Sequence, residues 1–323
     1  MKRARLIYNS SAGNTSGSLS SLLEGIKAAG YETHYDVTVS EEDLDVVLKE
    51  PTDVVVVAGG DGSLRAVVKR LLEHPIGARP ALTVLPLGTA NNVANMLMPG
   101  MTVPQILGGL SNPVSKPFDI GSVRCEVEGC EPGENIFLEG AGVGLFANMM
   151  ADYQPDEGKN PFRALQVMTQ TLSTFAPQTL TLTADEQQLS ESFVMLEVMN
   201  TNAVGPRLPL APRADAGDGF FDVVLVREDA RVGFLNYVTN VVSGSVESLP
   251  NVEVKRWSRL ELTCLDWAVH ADAEVIPVRG ESRVSFEMMA GALELWLPEL
   301  QPGDVPAQPL PLLTKVVKLG AIK

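Results

Sequence analysis

The chain has 323 residues, 45% of them hydrophobic and 20% charged, and 25 Lys and Arg against 40 Asp and Glu give a formal net charge of −15. That length predicts two domains with a sizeable core. The acidity excludes nucleic acid as a partner, because phosphate backbones are held by dense Lys and Arg, and it weakens any polybasic grip on anionic lipid.

Three cysteines, Cys125, Cys130 and Cys264, show no metal-type pairing and read as reduced thiols of a cytoplasmic protein. The opening MKRARLIYNSSAG turns polar too early for a signal peptide. No stretch approaches the ~18 apolar residues of a membrane span. The expectation is a soluble protein, with peripheral membrane contact left open.

In chain order, Arg5 to Tyr8 is strand-like. Leu19, Leu22, Leu23 and Ile26 line a helix face that Gly30 closes, and Tyr31 to Val39 returns as a strand. Glu41 to Lys49 is a short helix. Asp53 to Ala58 is apolar and β-rich without alternation, the pattern of a buried strand, and from Ser63 onward Leu64, Val67, Val68, Leu71 and Leu72 fall at helical spacing. ALTVLPLG followed by TANNVANML repeats the strand-then-helix order. Such β–α units predict an α/β N-terminal domain with a doubly wound parallel sheet.

After Pro117 the pattern changes. TLTLTAD, LSESFVMLEVM, FFDVVLVRE, VEVKRWSRLELTC and RVSFEMMAGALELWL are β segments separated by turn signals, which predicts a C-terminal, mainly antiparallel β-sandwich domain. Helical insertions are expected at about 161–175 and 231–243. The domains are thus expected at 1–117 and 118–303. The tail 304–323 is expected to pack back on the first domain, since Leu313, Val316, Val317 and Leu319 would otherwise lie exposed.

The junction VVVVAGGDGSLRAVV is a strand, a glycine loop and a helix. At the carboxyl edge of a parallel sheet, glycines let backbone N–H groups approach an anion at the helix start, and a phosphate suits that place. A plain tight turn is the alternative for this loop alone. Two more small-residue loops lead into helices, LPLGTANN at 85–92 and YNSSAGNTSGS at 8–18. Three such loops on one sheet edge look like a nucleotide phosphate cradle. Rossmann spacing and a Walker lysine are both missing.

VVVAGGDGSLRAVV and LPLGTANNVANML resemble the GGDGT and P-L-G-T-x-N-[DN] elements of the diacylglycerol kinase catalytic family, most closely its soluble bacterial lipid kinases. APRADAGDGFFDVVLV at 211–226 is similar to the family's D-G-x-[LF]-D-V segment, VHADAEVIP at 269–277 to its D-G-E segment, and YNSSAG stands where the family has N-P-x-S-G.

The resemblance implies an ATP-dependent lipid kinase that phosphorylates a hydroxyl of diacylglycerol, a sphingoid base or a similar amphiphile, with its active site in the inter-domain cleft. It implies ATP held by Gly59, Gly60, Gly62 and Ser63, bordered by Gly88, Thr89 and Asn91, and by Asn9 and Thr38 at the first two strand ends. Asp61 would hold Mg²⁺ directly or through water. Glu274 would be the general base with Asp272 beside it, and a structural metal would take the Asp218 carboxylate and the carbonyls of Asp215 and Phe220. A homodimer is compatible with this reading. On local sequence alone, Asp272-Ala273-Glu274 reads as an exposed β-turn and DAGDG as a hairpin turn.

The chain departs from the family pattern at several places. Ser63 replaces a threonine, Arg65-Ala66 a polar residue and a glutamate, Asn92 an aspartate and Asn95 an arginine, while Ala273 replaces a glycine. Lost carboxylates weaken metal binding and lost basic residues weaken phosphate binding. Two other functions stay open: an NAD kinase, which shares the GGDG loop, and a nucleotide- or lipid-binding protein with weakened catalysis.

Overall fold

A computed structural model of the chain describes residues 1–9, 18–37, 41–127, 133–152, 170–171, 175–205, 207–228, 240, 245, 248–276, 278 and 280–299. Two compact units emerge. Met1–Asp119 and the described residues from Ala290 on form one, and Ile120–Met289 forms the other. Among the described residues no helix is long and apolar enough to cross a membrane.

The first unit alternates strand and helix as its periodicity requires. In chain order come β1 (Lys2–Tyr8), α1 (Leu19–Ala28), β2 (Tyr31–Val37), α2 (Glu41–Val47), β3 (Val54–Gly59), α3 (Asp61–Leu72), β4 (Ala81–Pro86), α4 (Asn92–Leu97) and α5 (Val103–Gly109). Gly30 ends α1 at a left-handed φ of 95°, which a side chain would resist. The sheet runs β2-β1-β3-β4, every pair parallel. Val54 to Ala58 and the α3 face of Leu64, Val67, Val68 and Leu71 are fully buried against each other's layers. Chain order reverses at β1, so the crevice beyond the carboxyl ends of β1 and β3 is the switch point where open α/β sheets take ligands.

β5 (Val114–Val127) carries the chain into the second unit. There follow β6 (Gly133–Phe137), β7 (Gly140–Gly144), α6 (Leu145–Asp152), β8 (Gln178–Ala184), β9 (Gln187–Met199), β10 (Phe221–Arg227), β11 (Val252–Trp257), β12 (Arg259–Leu265), β13 (Val269–Ala271), β14 (Glu274–Ile276) and β15 (Glu281–Leu297). Apart from the parallel bridge of β15 to β4, which falls in the first unit, the registered pairs here are antiparallel. The long β9 pairs with β8 along its first half and lies between β7 and β10 along its second, which lets one strand serve two layers. Phe137, Phe193, Phe221 and Phe286 are fully buried in its core, each stabilising the unit by about 1.5–3 kcal/mol.

The last strand returns to the first unit at Ala290, where Leu295 pairs in parallel with Leu82 of β4. Sequence periodicity did not predict β5 to β7. β7 reads GAGVG, too poor in side chains to show a strand pattern. The expected helical insertions lie almost wholly, and the packing of the tail entirely, outside the described residues.

Candidate active site

The glycine loop after β3 and the loop after β4 interlock. A Cβ at Gly88 would lie 2.5 Å from the Cα of Gly60 and 2.7 Å from Asn91 Oδ1, so the two backbones approach as only glycines allow. A Cβ at Gly59 would stand 2.7 Å from Ser63 Cβ and Oγ. At Gly62 the same addition meets nothing of the described residues within 4 Å. Three of the motif's glycines thus serve chain packing, and the fourth leaves an open first turn on α3.

Side chains complete the join. Asn9, directly after β1, donates from Nδ2 to Ser63 Oγ at 2.8 Å and so bridges the switch point. Asn91 sits at a left-handed φ of 52° and folds back on Gly88, accepting from its N–H at 2.9 Å and donating to its carbonyl at 2.8 Å. The Asp61 carboxylate accepts from the backbone N–H of Asn92 at 3.1 Å and of Val93 at 3.3 Å. It therefore caps α4 from the neighbouring loop, a role that sequence inspection missed. Burial pushes the Asp61 carboxyl above the usual carboxylate range, against the N–H bonds from Asn92, Val93 and Asn91 that pull it down.

Among the described residues no side chain caps the start of α3. Its first-turn N–H groups and the positive end of the helix dipole suit an anion. Thr89 is exposed on the second loop, and Thr38 lies outside the described residues.

In the second unit, β13 and β14 form a hairpin whose turn is Asp272-Ala273. Asp272 takes the left-handed φ, 51°, and Ala273 does not, so alanine in place of glycine carries no left-handed strain there. The Asp272 carboxylate is buried. Its Oδ1 accepts from the successive N–H groups of Leu138 (3.1 Å), Glu139 (2.8 Å) and Gly140 (3.3 Å), and its Oδ2 from Leu138 at 2.9 Å. Such a nest of backbone donors makes Asp272 the anchor of the turn. Glu274, by contrast, is exposed, with Oε2 accepting from Asn135 Nδ2 of β6 at 2.6 Å. Asn135 is a residue that sequence motifs did not single out.

Asp218 accepts from the N–H of Phe220 at 3.0 Å and is ion-paired with Arg256, whose guanidinium also stacks 5.0 Å from the Phe220 ring centre. Asp215 accepts from the N–H of Gly217 at 3.2 Å. The all-oxygen donor set expected here suits Mg²⁺, but a metal at Asp218 would have to share the carboxylate with Arg256. Among the described residues no group of three or more His, Cys, Asp or Glu side chains gathers for a metal.

A cavity of about 530 Å³ lies in the second unit, walled by Phe175, Ala176, Trp267, Val275 and Val278. Its polar rim is already satisfied, with Asp152 accepting from Thr171, Asn148 from the N–H of Ala268 and Asp266 from the N–H of Gly280.

Comparison with known proteins finds that residues 3–123 match the family described as the diacylglycerol kinase catalytic domain, and residues 140–297 the YegS C-terminal NAD kinase beta sandwich-like domain. A protein named diacylglycerol kinase from Bacillus subtilis (strain 168) is 29% identical over 254 residues, covering 76% of this chain and 80% of that protein. One named "probable lipid kinase YegS-like" from Shewanella frigidimarina (strain NCIMB 400) is 26% identical over 281 residues, covering 81% and 84%. The crystal structure of a diacylglycerol kinase from Bacillus anthracis str. Sterne superposes with a TM-score of 0.64 at 19% identity, over 92% of this chain and 97% of that one.

Proposed function

The chain belongs to the diacylglycerol kinase catalytic family, in its YegS-like branch, and from that premise we propose that it transfers the γ-phosphoryl group of ATP to a hydroxyl of diacylglycerol or a related lipid. A lipid kinase needs the nucleotide phosphates held, charge neutralised and a proton accepted. The observation that carries the proposal is the joining of Asn9, after β1, to the interlocked loops after β3 and β4 at the start of α3, which no described side chain caps. In this reading the N–H groups of Gly62 and Ser63 hold phosphate oxygens, Asn9 orients the Ser63 hydroxyl, and Asn91 keeps Gly88 in shape.

Mg²⁺ would be held through the Asp61 carboxylate, whose oxygens also face the N–H groups of Asn91, Asn92 and Val93. When bound it supplies charge neutralisation at the phosphates. Glu274 is assigned as the base: its carboxylate is exposed to an acceptor and oriented by Asn135, whereas the neighbouring Asp272 is committed to backbone donors. The apolar wall of the cavity beside Val275, made with Phe175, Trp267 and Val278, suits part of an acyl chain. The net charge of −15 argues against a polybasic grip, so any membrane contact in this reading is transient and peripheral.

The test is transfer of label from γ-labelled ATP to dioleoylglycerol in mixed micelles, with sphingosine and NAD as parallel acceptors. Labelled phosphatidic acid is expected, and labelled NADP without labelled lipid would refute the lipid reading. Glu274→Gln removes basicity while keeping size, and turnover is expected to drop by roughly 10² to 10⁴ with ATP affinity little changed. Parental turnover in that variant would remove Glu274 from the mechanism.

A further inference from the structure

His270 of β13 and Glu197 of β9 meet across the strand between them, β7. Both side chains are fully buried, and His270 Nε2 lies 2.8 Å from Glu197 Oε2. In register, Gly142 stands opposite His270 on one side and Glu197 on the other. A Cβ at Gly142 would fall 2.6 Å from both Cδ and Oε1 of Glu197, so the absence of a side chain there is what lets the two residues join. The edge of the Phe146 ring packs on the imidazole, with centroids 5.1 Å apart at 79°. The second ring nitrogen, Nδ1, lies 3.1 Å from the carbonyl oxygen of Asp272. Glu197 Oε1 is buried and has no hydrogen-bond partner among the described residues.

These contacts fix a proton count. A carbonyl oxygen only accepts, so Nδ1 carries a hydrogen. Nε2 and a carboxylate oxygen 2.8 Å apart need another hydrogen between them, because facing lone pairs repel. The pair therefore holds one proton more than a neutral imidazole and a free carboxylate, and as a whole it is neutral, as a dry site requires. Burial alone would drive the imidazole toward its neutral form, but the Glu197 carboxylate and the Asp272 carbonyl outweigh it and raise the histidine's pKa.

We propose that His270 and Glu197 are positioning residues for the kinase reaction: the proton-sharing pair holds the Asp272 carbonyl, and through it the turn that presents Glu274. The inference rests on the reading of Glu274 as the base. Asp272 donates its N–H to the Gly140 carbonyl at 2.8 Å, and its carboxylate sits on the N–H groups of Leu138, Glu139 and Gly140. Its carbonyl is a further handle on the peptide that leads into Ala273 and Glu274, and His270 grips it. Asp272 stands at a left-handed φ, a conformation that a non-glycine residue keeps only when its surroundings hold it.

Two measurements on the full chain test the proposal. The first uses the unaltered protein, whose histidines number three, His34, His74 and His270, so nitrogen-edited NMR of the imidazoles is tractable. His270 is expected to carry a hydrogen on Nδ1 at neutral pH, with a second one bound or shared at Nε2. A bare Nδ1 breaks the link to Asp272 and overturns the proposal whether or not any variant folds.

The second is kinetic, with dioleoylglycerol as acceptor. His270→Gln keeps a group near Nε2 and gives up the Asp272 link, so kcat is expected to fall about tenfold or more while KM for ATP stays within about twofold. His270→Asn combined with Glu197→Gln restores a donor at the Nδ1 position without stranding a buried carboxylate, and should recover roughly a third or more of parental kcat. Parental kcat in His270→Gln, or equal losses in both variants, overturns the proposal. Glu274→Gln run alongside separates the failures: parental turnover there overturns the base assignment, whereas the NMR signature reports on the grip itself.

Discussion

Gly62→Ala separates the two jobs that glycine does in the β3–α3 loop. Gly62 is the second residue of α3, its φ is not left-handed, and an added Cβ meets nothing of the described residues within 4 Å. Alanine therefore fits without strain and is expected to stabilise the helix by about 0.5–1 kcal/mol. For a protein of this size that is a rise in melting temperature of roughly 1–4 °C. The same methyl group enters the space assigned to the nucleotide phosphates. Losing one charge-assisted hydrogen bond, about 1.5–3 kcal/mol, weakens ATP binding roughly tenfold to a hundredfold. Thermal melts without nucleotide and calorimetric titration with ATP and Mg²⁺ read the two effects separately. Parental affinity in the stabilised variant would show that the phosphates do not sit at Gly62, and a lowered melting temperature would refute the steric argument. Gly88→Ala is the opposite case: its Cβ would collide with Gly60 and Asn91, so a loss of about 1–3 kcal/mol of stability is expected.

Asp61→Asn should abolish turnover and also cost about 1–3 kcal/mol of stability, because an amide NH₂ would face a backbone N–H at the start of α4; a variant that melts and turns over like the parent excludes both roles. Burial pushes the Cys125 thiol up to about 12 and the Cys264 thiol up to about 11 from 9.0, so neither should react with a disulfide reagent at pH 8 until denaturant is added. Above pH 9.0 the unfolded chain releases these protons first, so stability should fall by about 1.4 kcal/mol per pH unit for each thiol until its folded pKa is reached, which equilibrium unfolding at pH 8 to 11 can measure. Arg256→Gln frees the Asp218 carboxylate and should enlarge the thermal protection given by Mg²⁺ if a metal binds there, while Asp218→Ala should abolish it; equal Mg²⁺ protection in both and in the parent means the segment is a plain turn.

The parallel sheet and its glycine loops were legible because buried parallel strands read as unbroken runs such as Val54 to Val57, and because each loop lies between two strong periodic patterns. Glu274 stood out only through its family resemblance, since nothing local distinguishes it from any acidic turn. What sequence did not show depends on contacts between distant residues. Asp61 finds Asn92 and Val93, Asn135 finds Glu274, and His270 finds Glu197, over separations of 31, 139 and 73 residues. Gly142 is an extreme case: its meaning is the space it leaves between two neighbours that are themselves far apart in the chain. β7 was invisible for the same reason.

The Asp61 bridge to α4 also has a bearing on how the first unit becomes ordered. α4 spans Asn92–Leu97, far below the ~12–15 residues at which an isolated helix begins to persist in water. Its leading amides are held by a carboxylate from a loop that exists only once β3 and α3 are in place. α4 is thus expected to order only after β3 and α3, slaved to its neighbour. The amide hydrogens of Asn92 and Val93 exchange with solvent when Asp61 lets go, and their exchange rates report the opening of the glycine loop directly.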